Sequence, residues 1–237
     1  MFYFDNFYGK KILKSTLIED IDCFFTTRDF VLTPSNRDDL INEAEKNRNL
    51  LEEKLGCRIT TCNQTHSDNI ALLENNIYFY ENTDAIITNK DNSLILLNFA
   101  DCVPIILYSK EYKTAAVVHA GWRGTASKIV KKTVEKMDID TKTITALIGP
   151  AIGKCCFETA EDVFNQLIND KEETNLYEKK NNKYFIDLKQ INYNQLTETG
   201  VKNIDICSYC TCCMSDIFFS YRKENGITAR HSAIIKI

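Results

Sequence analysis

This chain of 237 residues is poor in the residues that punctuate loops, with eight glycines and three prolines. That excludes a collagenous or linker-rich chain, and no repeat of fixed period points to a solenoid or propeller. No apolar run approaches the roughly 20 residues of a membrane span. The start Met1-Phe2-Tyr3-Phe4-Asp5 lacks the basic lead and apolar stretch of a secretory signal, so the expected location is the cytoplasm. Positive charge is not in excess either: 29 Lys and Arg against 33 Asp and Glu give a net charge of -4. Binders of nucleic acid or anionic membranes need a basic field to offset phosphate, so neither is expected and small molecules are the expected partners. Nothing in the pattern sets an oligomeric state. Histidine is scarce as well, at three, whereas cysteine is plentiful at ten. A chain this long is not a short disulfide scaffold, and its thiols are read as mostly reduced, available for metal or catalysis.

With 44% hydrophobic residues the chain can bury a large core, and no composition shift marks a boundary, so residues 1–237 are expected to form one domain. From Arg37 to Leu55, Leu40, Ala44, Leu51 and Leu55 share a helical face, with Ser35 or Asn36 as possible caps and Gly56 as the stop. Short apolar runs follow, from Ile70 to Leu73, Ala85 to Thr88, Leu94 to Phe99, Pro104 to Tyr108 and Thr114 to His119; these read as buried strands. Thr125 is placed to cap a helix from Ala126 to Met137, followed by a strand from Thr143 to Ile148. Helices near Ala160 to Ile168 and Leu188 to Thr199, then strands near Ile204 and Ile234, complete a mixed α/β reading.

Chemistry concentrates at the ends of these strands. His66 lies in Gln64-Thr65-His66-Ser67, Cys102 in Ala100-Asp101-Cys102-Val103-Pro104, and His119 closes an apolar run ahead of Ala120-Gly121-Trp122-Arg123-Gly124. An imidazole, a thiolate and a second imidazole are suitable zinc ligands, and three protein ligands leave a position for water or substrate. Zinc in such a site lowers the pKa of water to about 7. The other reading of the same residues is a loop histidine, a small buried thiol and a satisfied core histidine.

Together with Ile148-Gly149-Pro150-Ala151-Ile152-Gly153-Lys154-Cys155-Cys156-Phe157-Glu158 and Phe218-Phe219-Ser220-Tyr221-Arg222, these segments occur in the order of one family. From about Phe24 onward the chain resembles the laccase-domain proteins, also called YfiH-type or multicopper polyphenol oxidoreductase-like. The resemblance implies a single-domain α/β fold of mixed sheets flanked by helices, with a zinc site formed by His66, Cys102 and His119. It also implies phosphorolysis of purine nucleosides (adenosine, inosine, guanosine or methylthioadenosine) to base and ribose 1-phosphate, with adenosine deamination beside it. Copper polyphenol oxidation, the older label, needs several histidine-rich metal sites that three histidines do not furnish; copper is the second choice of metal. The alternatives are an amidase editing a peptidoglycan precursor, a role linked to some bacterial relatives, and a non-catalytic, zinc-stabilised interaction protein. Three departures stand out: Phe25-Thr26-Thr27-Arg28-Asp29-Phe30 lacks the family's early glycines, Phe157 replaces a frequent Tyr, and Thr228-Ala229-Arg230 replaces Thr-Gly-Arg.

Phosphorolysis needs an anion site, and the forked donors of arginine match phosphate. Arg28 and Arg123 are the candidates; Arg222 and Arg230 read equally well as surface ion pairs. Asp101 and Gln64 are candidates for proton transfer, ligand orientation or substrate contact. Tyr221 is the candidate for stacking on a base. Cys155 and Cys156 read as structural, Cys207, Cys210, Cys212 and Cys213 as a buried or redox-sensitive cluster, and His231 as a surface or satisfied histidine.

Overall fold

A strand that is apolar at nearly every position gives little alternation from which to read its inner face, because both faces are covered. The computed structural model, which describes residues 1–168 and 175–237, shows how that happens here. In the strand Leu94–Phe99, Leu94 and Leu96 pack against Leu51 and Leu55 of the helix Ile41–Leu55. Ile95, Leu97 and Phe99 point the opposite way, onto Ile106, Tyr108 and Val117 of a second sheet. Ile105, Leu107, Ala116 and Val118 of that sheet turn outward, into a core shared with the helices Ile129–Met137 and Leu188–Glu198. Four layers result, helix on sheet on sheet on helices, in a mixed α/β fold.

The first sheet runs in the order Phe2–Phe7, Lys10–Ser15, Cys23–Thr26, His231–Lys236, Leu94–Phe99, Ile59–Cys62, Phe79–Tyr80. The second runs Asn203–Ile206, Thr145–Ile148, Val103–Ser109, Thr114–Ala120, Ala85–Thr88, Ile70–Leu72. Both mix parallel and antiparallel pairs. A small third sheet, Glu158–Thr159, Lys183–Ile186, Tyr177–Lys180, stacks Tyr184 on Phe164 of the short helix Glu161–Leu167. Among the described residues, no helix is long and apolar enough to cross a membrane.

Several elements differ from the sequence expectation, each for a local reason. The helix expected from Ala126 to Met137 is two: Trp122–Ala126 and Ile129–Met137, broken at Lys128, whose φ is 59°. Thr125 caps nothing. It is buried inside the first of these helices and tied to Leu188–Glu198, its Oγ1 accepting from Asn192 Nδ2 at 3.0 Å and its carbonyl from Gln195 Nε2 at 2.9 Å. The helix expected from Arg37 starts as a 3-10 turn, Asp38–Leu40, and neither Ser35 nor Asn36 caps it. Asn36 instead binds the Gly226 carbonyl and the Thr228 amide, and Asn47, buried on the apolar face, donates to the Val31 carbonyl. The N-terminal hairpin went unread because its strands are short and half exposed; its turn at Tyr8 and Gly9, φ 48° and 88°, is the left-handed pair that tight hairpins favour.

The sheets meet at Gly149, whose amide donates to the Pro104 carbonyl at 2.8 Å. A Cβ there would lie 2.3 Å from the Phe25 ring. Gly149→Ala is expected to cost about 1–3 kcal/mol by overpacking, seen as a lower urea midpoint at unchanged m.

Candidate functional site

The odd positions Ala115 and Val117 of the strand Thr114–Ala120 face the first sheet, and His119 continues that parity, its ring centroid 5.3 Å from that of Phe99. Pro104 sits opposite His119 in the neighbouring strand, so Cys102, just before that strand, arrives at the same sheet end. His66 comes from the loop after Ile59–Cys62, held in a left-handed conformation at φ 60°. The ligand atoms of His66, Cys102 and His119 all lie within 4.8 Å of one another, and the histidine ring centroids are 5.0 Å apart. Gly121 lets them converge: a Cβ there would stand 3.0 Å from the His66 ring and 3.1 Å from Cys102 Sγ.

One residue that the sequence reading passed over organises this cluster. Asp84, fully buried at the head of the strand Ala85–Thr88, faces His119 Nδ1 at 2.7 Å. Its carboxylate also accepts from the amides of Thr65 (3.2 Å), His66 (3.1 Å) and Ser67 (2.7 Å) and from the Ser67 hydroxyl (2.6 Å). Burial opposes the charge, yet these donors, His119 first, bring Asp84 down to about 2. An ionised carboxylate only accepts, so His119 Nδ1 carries the proton and its other ring nitrogen is left for a metal. A signal was present: an acid heading the apolar run Ala85-Ile86-Ile87 has to be partnered once buried.

The cluster is polarised. Burial raises the cost of a Cys102 thiolate, but His119 and then His66 outweigh it and lower the thiol from 9.0 to about 6. Burial likewise disfavours a charged His119, and the Cys102 thiolate and Asp84 override it, raising the imidazole from 6.5 to about 9. A thiolate and imidazoles positioned by a carboxylate are a donor set that can hold a metal ion.

The cluster opens into a cavity of about 580 Å³. Gln64, Asp101 and Tyr221 line it, as expected candidates; Arg28 and Arg123 do not. Arg28 is spent on Glu224, the Phe218 carbonyl and the face of Phe219, and Arg123 lies exposed on its helix against Trp122. The cavity's arginines are Arg222 and Arg230, and neither pairs with a carboxylate among the described residues. Arg222 donates to the carbonyls of Cys156 and Glu158, and Arg230 to those of Thr228 and Ala229. Gln64 is fastened to the strand by a two-way amide pair with the backbone of Asn98, at 2.8 and 2.9 Å. Asp101, at φ 88°, touches neither histidine: it accepts from Thr211 Oγ1 at 2.6 Å and the Arg222 amide at 2.7 Å. His231 is buried between Phe99 and Phe218, with neither ring nitrogen hydrogen-bonded among the described residues, and burial depresses its pKa to about 3.

Asp84→Ala is expected to lower stability by about 3–5 kcal/mol and metal affinity by about 10–100-fold, measured by denaturation and zinc titration. Because Asp84 is depressed in the fold from 3.8 to about 2, its contribution is present above that ordinary value and lost as pH falls toward 2. The acid limb of the stability curve should therefore flatten in the variant. In metal-free protein, alkylation of Cys102 followed by peptide mass spectrometry should show a midpoint near pH 6 rather than 9.

The profile of the family described as multi-copper polyphenol oxidoreductase laccase matches residues 30–237. A Staphylococcus epidermidis protein named purine nucleoside phosphorylase is 39% identical over 156 residues, 64% of this chain and 59% of that one, so the match spans less than two thirds of that relative. A Clostridium acetobutylicum protein of the same name is 37% identical over 183 residues, 73% of this chain and 75% of that one. Among solved structures, Bacillus licheniformis hypothetical protein YfiH superposes with a TM-score of 0.88 at 26% identity, covering 99% of this chain and 98% of that one. YlmD from Geobacillus stearothermophilus does so at 0.87 and 27%, covering 98% of both chains. With the family profile running over nearly the whole chain and the same fold shared end to end, this protein belongs to the laccase-like, YfiH-type family.

Proposed function

We propose that the cavity binds a purine nucleoside together with phosphate and catalyses phosphorolysis to the free base and ribose 1-phosphate, with zinc held by His66, Cys102 and His119. The observation that carries this reading is the convergence, in one cavity of about 580 Å³, of the three-ligand cluster, two arginines that pair with no carboxylate among the described residues, and aromatic walls. That volume is in the range of small-molecule sites. The names of the relatives from Staphylococcus and Clostridium point the same way.

Arg222 and Arg230 take the phosphate role first expected of Arg28 and Arg123. Their remaining guanidinium donors supply the fork an oxyanion needs, and the carbonyls they already bind fix their direction. Trp122, Phe157, Leu188 and Tyr221 offer apolar and aromatic faces to base and ribose. Gln64, pinned to Asn98, holds the loop that carries His66. Asp101 keeps lone pairs on both oxygens beyond those used by Thr211 and Arg222, enough to accept a ribose hydroxyl.

Zinc is favoured over copper by the ligands themselves. A thiolate with two imidazoles serves a copper electron-transfer site when a methionine completes it, and none of the three methionines lines this cavity. The third histidine, His231, is enclosed between Phe99 and Phe218. A purely structural zinc site closes with four protein ligands; three facing a cavity favour an enzyme over an interaction module. Zinc held by His66, Cys102 and His119 would supply Lewis acidity at the cavity wall, chemistry that adenosine deamination at the same site also requires.

The test is a panel of adenosine, inosine, guanosine and methylthioadenosine with zinc-loaded protein, with and without phosphate, following base and ammonia. Phosphate-dependent base release is expected. Cys102→Ala should stay folded while losing activity, and Arg230→Ala should raise the KM for phosphate about 10–100-fold, the loss of a charged hydrogen bond. A panel yielding neither base nor ammonia overturns the proposal.

A further inference from the structure

A second group of soft ligands lies outside the His66, Cys102 and His119 cluster. The strands Thr145–Ile148 and Asn203–Ile206 are parallel neighbours, so the loops that follow leave the same sheet end side by side. One carries Cys155 and Cys156; the other carries Cys210 and Cys213. The loops are joined by the bridge between Ala151 and Cys210 and by the Thr211 amide donating to the Ala151 carbonyl at 3.1 Å. The four sulfurs lie within 4.8 Å of one another, with Cys213 Sγ 3.6 Å from Cys155 Sγ and 3.5 Å from Cys156 Sγ. None of the four is in a disulfide.

These separations match a metal rather than a bond between sulfurs. Thiolates about 2.3 Å from a tetrahedral zinc stand about 3.8 Å apart, whereas disulfide sulfurs stand about 2.0 Å apart. Cys210-x-x-Cys213 has the spacing of a zinc-binding pair, and the partner pair that the sequence did not reveal is the adjacent Cys155 and Cys156. Cys210 Sγ accepts the Gly153 amide at 3.2 Å, a bond that favours thiolate.

We propose that Cys155, Cys156, Cys210 and Cys213 form a second metal site, a structural tetrathiolate that binds Zn²⁺ and shares no ligand with the His66, Cys102 and His119 cluster. Binding forms four Zn–S bonds and releases the thiol protons to solvent, with no change of oxidation state. The ion clamps the loop of Cys155 and Cys156 to the loop of Cys210 and Cys213. Ile152 and Phe157 of the first loop line the cavity, Thr211 of the second holds Asp101, and Arg222 binds the Cys156 carbonyl, so the clamp fixes one wall of the cavity. Cys207, buried with its carbonyl on Lys189, and Cys212 stand outside the site.

The experiment is metal analysis of protein purified under reducing conditions and supplied with zinc. The wild type should hold about two zinc ions per chain, and His66→Ala/His119→Ala and Cys155→Ser/Cys213→Ser about one each. Cobalt added to metal-free His66→Ala/His119→Ala should give the intense thiolate charge-transfer bands of a tetrahedral Co–S₄ centre. Cys213→His, which keeps four ligands, should retain the ion. If the double serine variant fails to fold, the cobalt spectrum decides alone. One zinc in the wild type with none in His66→Ala/His119→Ala overturns the proposal, as does an intact mass showing a disulfide among the four cysteines.

Discussion

The site rests on one buried carboxylate. Asp84 gathers His119 Nδ1, three consecutive backbone amides and the Ser67 hydroxyl onto two oxygens, while its own carbonyl takes the His119 amide at 2.7 Å. Each contact fixes a different variable: the tautomer and tilt of His119, the path of the loop at residues 65–67, and the pairing of the strands Ala85–Thr88 and Thr114–Ala120. His66 can occupy its left-handed backbone conformation because Asp84 accepts its amide and those of both neighbours. Burial would expel such a charge; five donors hold it and lower its pKa.

The layers explain where the cavity lies. The central strands of the two sheets are covered on both faces, so polar chemistry collects at their ends, where strands give way to loops. Cys102, His119 and Asp84 all sit at strand ends of the second sheet. Around them come Gln64 from the loop after Ile59–Cys62 and Arg230 just before the C-terminal strand. The cavity is thus assembled from segments far apart in sequence but adjacent across the two sheets.

Much of this was legible beforehand. Nearly continuous apolar runs gave Leu94–Phe99 and Ala85–Thr88 with correct bounds because strands buried on both faces need few polar positions. The left-handed break at Lys128 was not legible, since no residue type there announces it and the tether of Thr125 to Asn192 is tertiary. The arginines show the same limit. Arg28, Arg123, Arg222 and Arg230 are equivalent as letters, and only packing separates the two bound to Glu224 or stacked on Trp122 from the two in the cavity.

The sequence by itself determined the family, the α/β class and the two histidines and cysteine that converge, because ligand identity and strand pattern are local properties of residue type. Tertiary structure alone decided which carboxylate supports them and which arginines face the cavity. It also brought Cys155 and Cys156 to Cys210 and Cys213. Those relations join residues dozens of positions apart through strand pairing and loop direction, and spacing along a chain carries no information about which loops a sheet brings side by side.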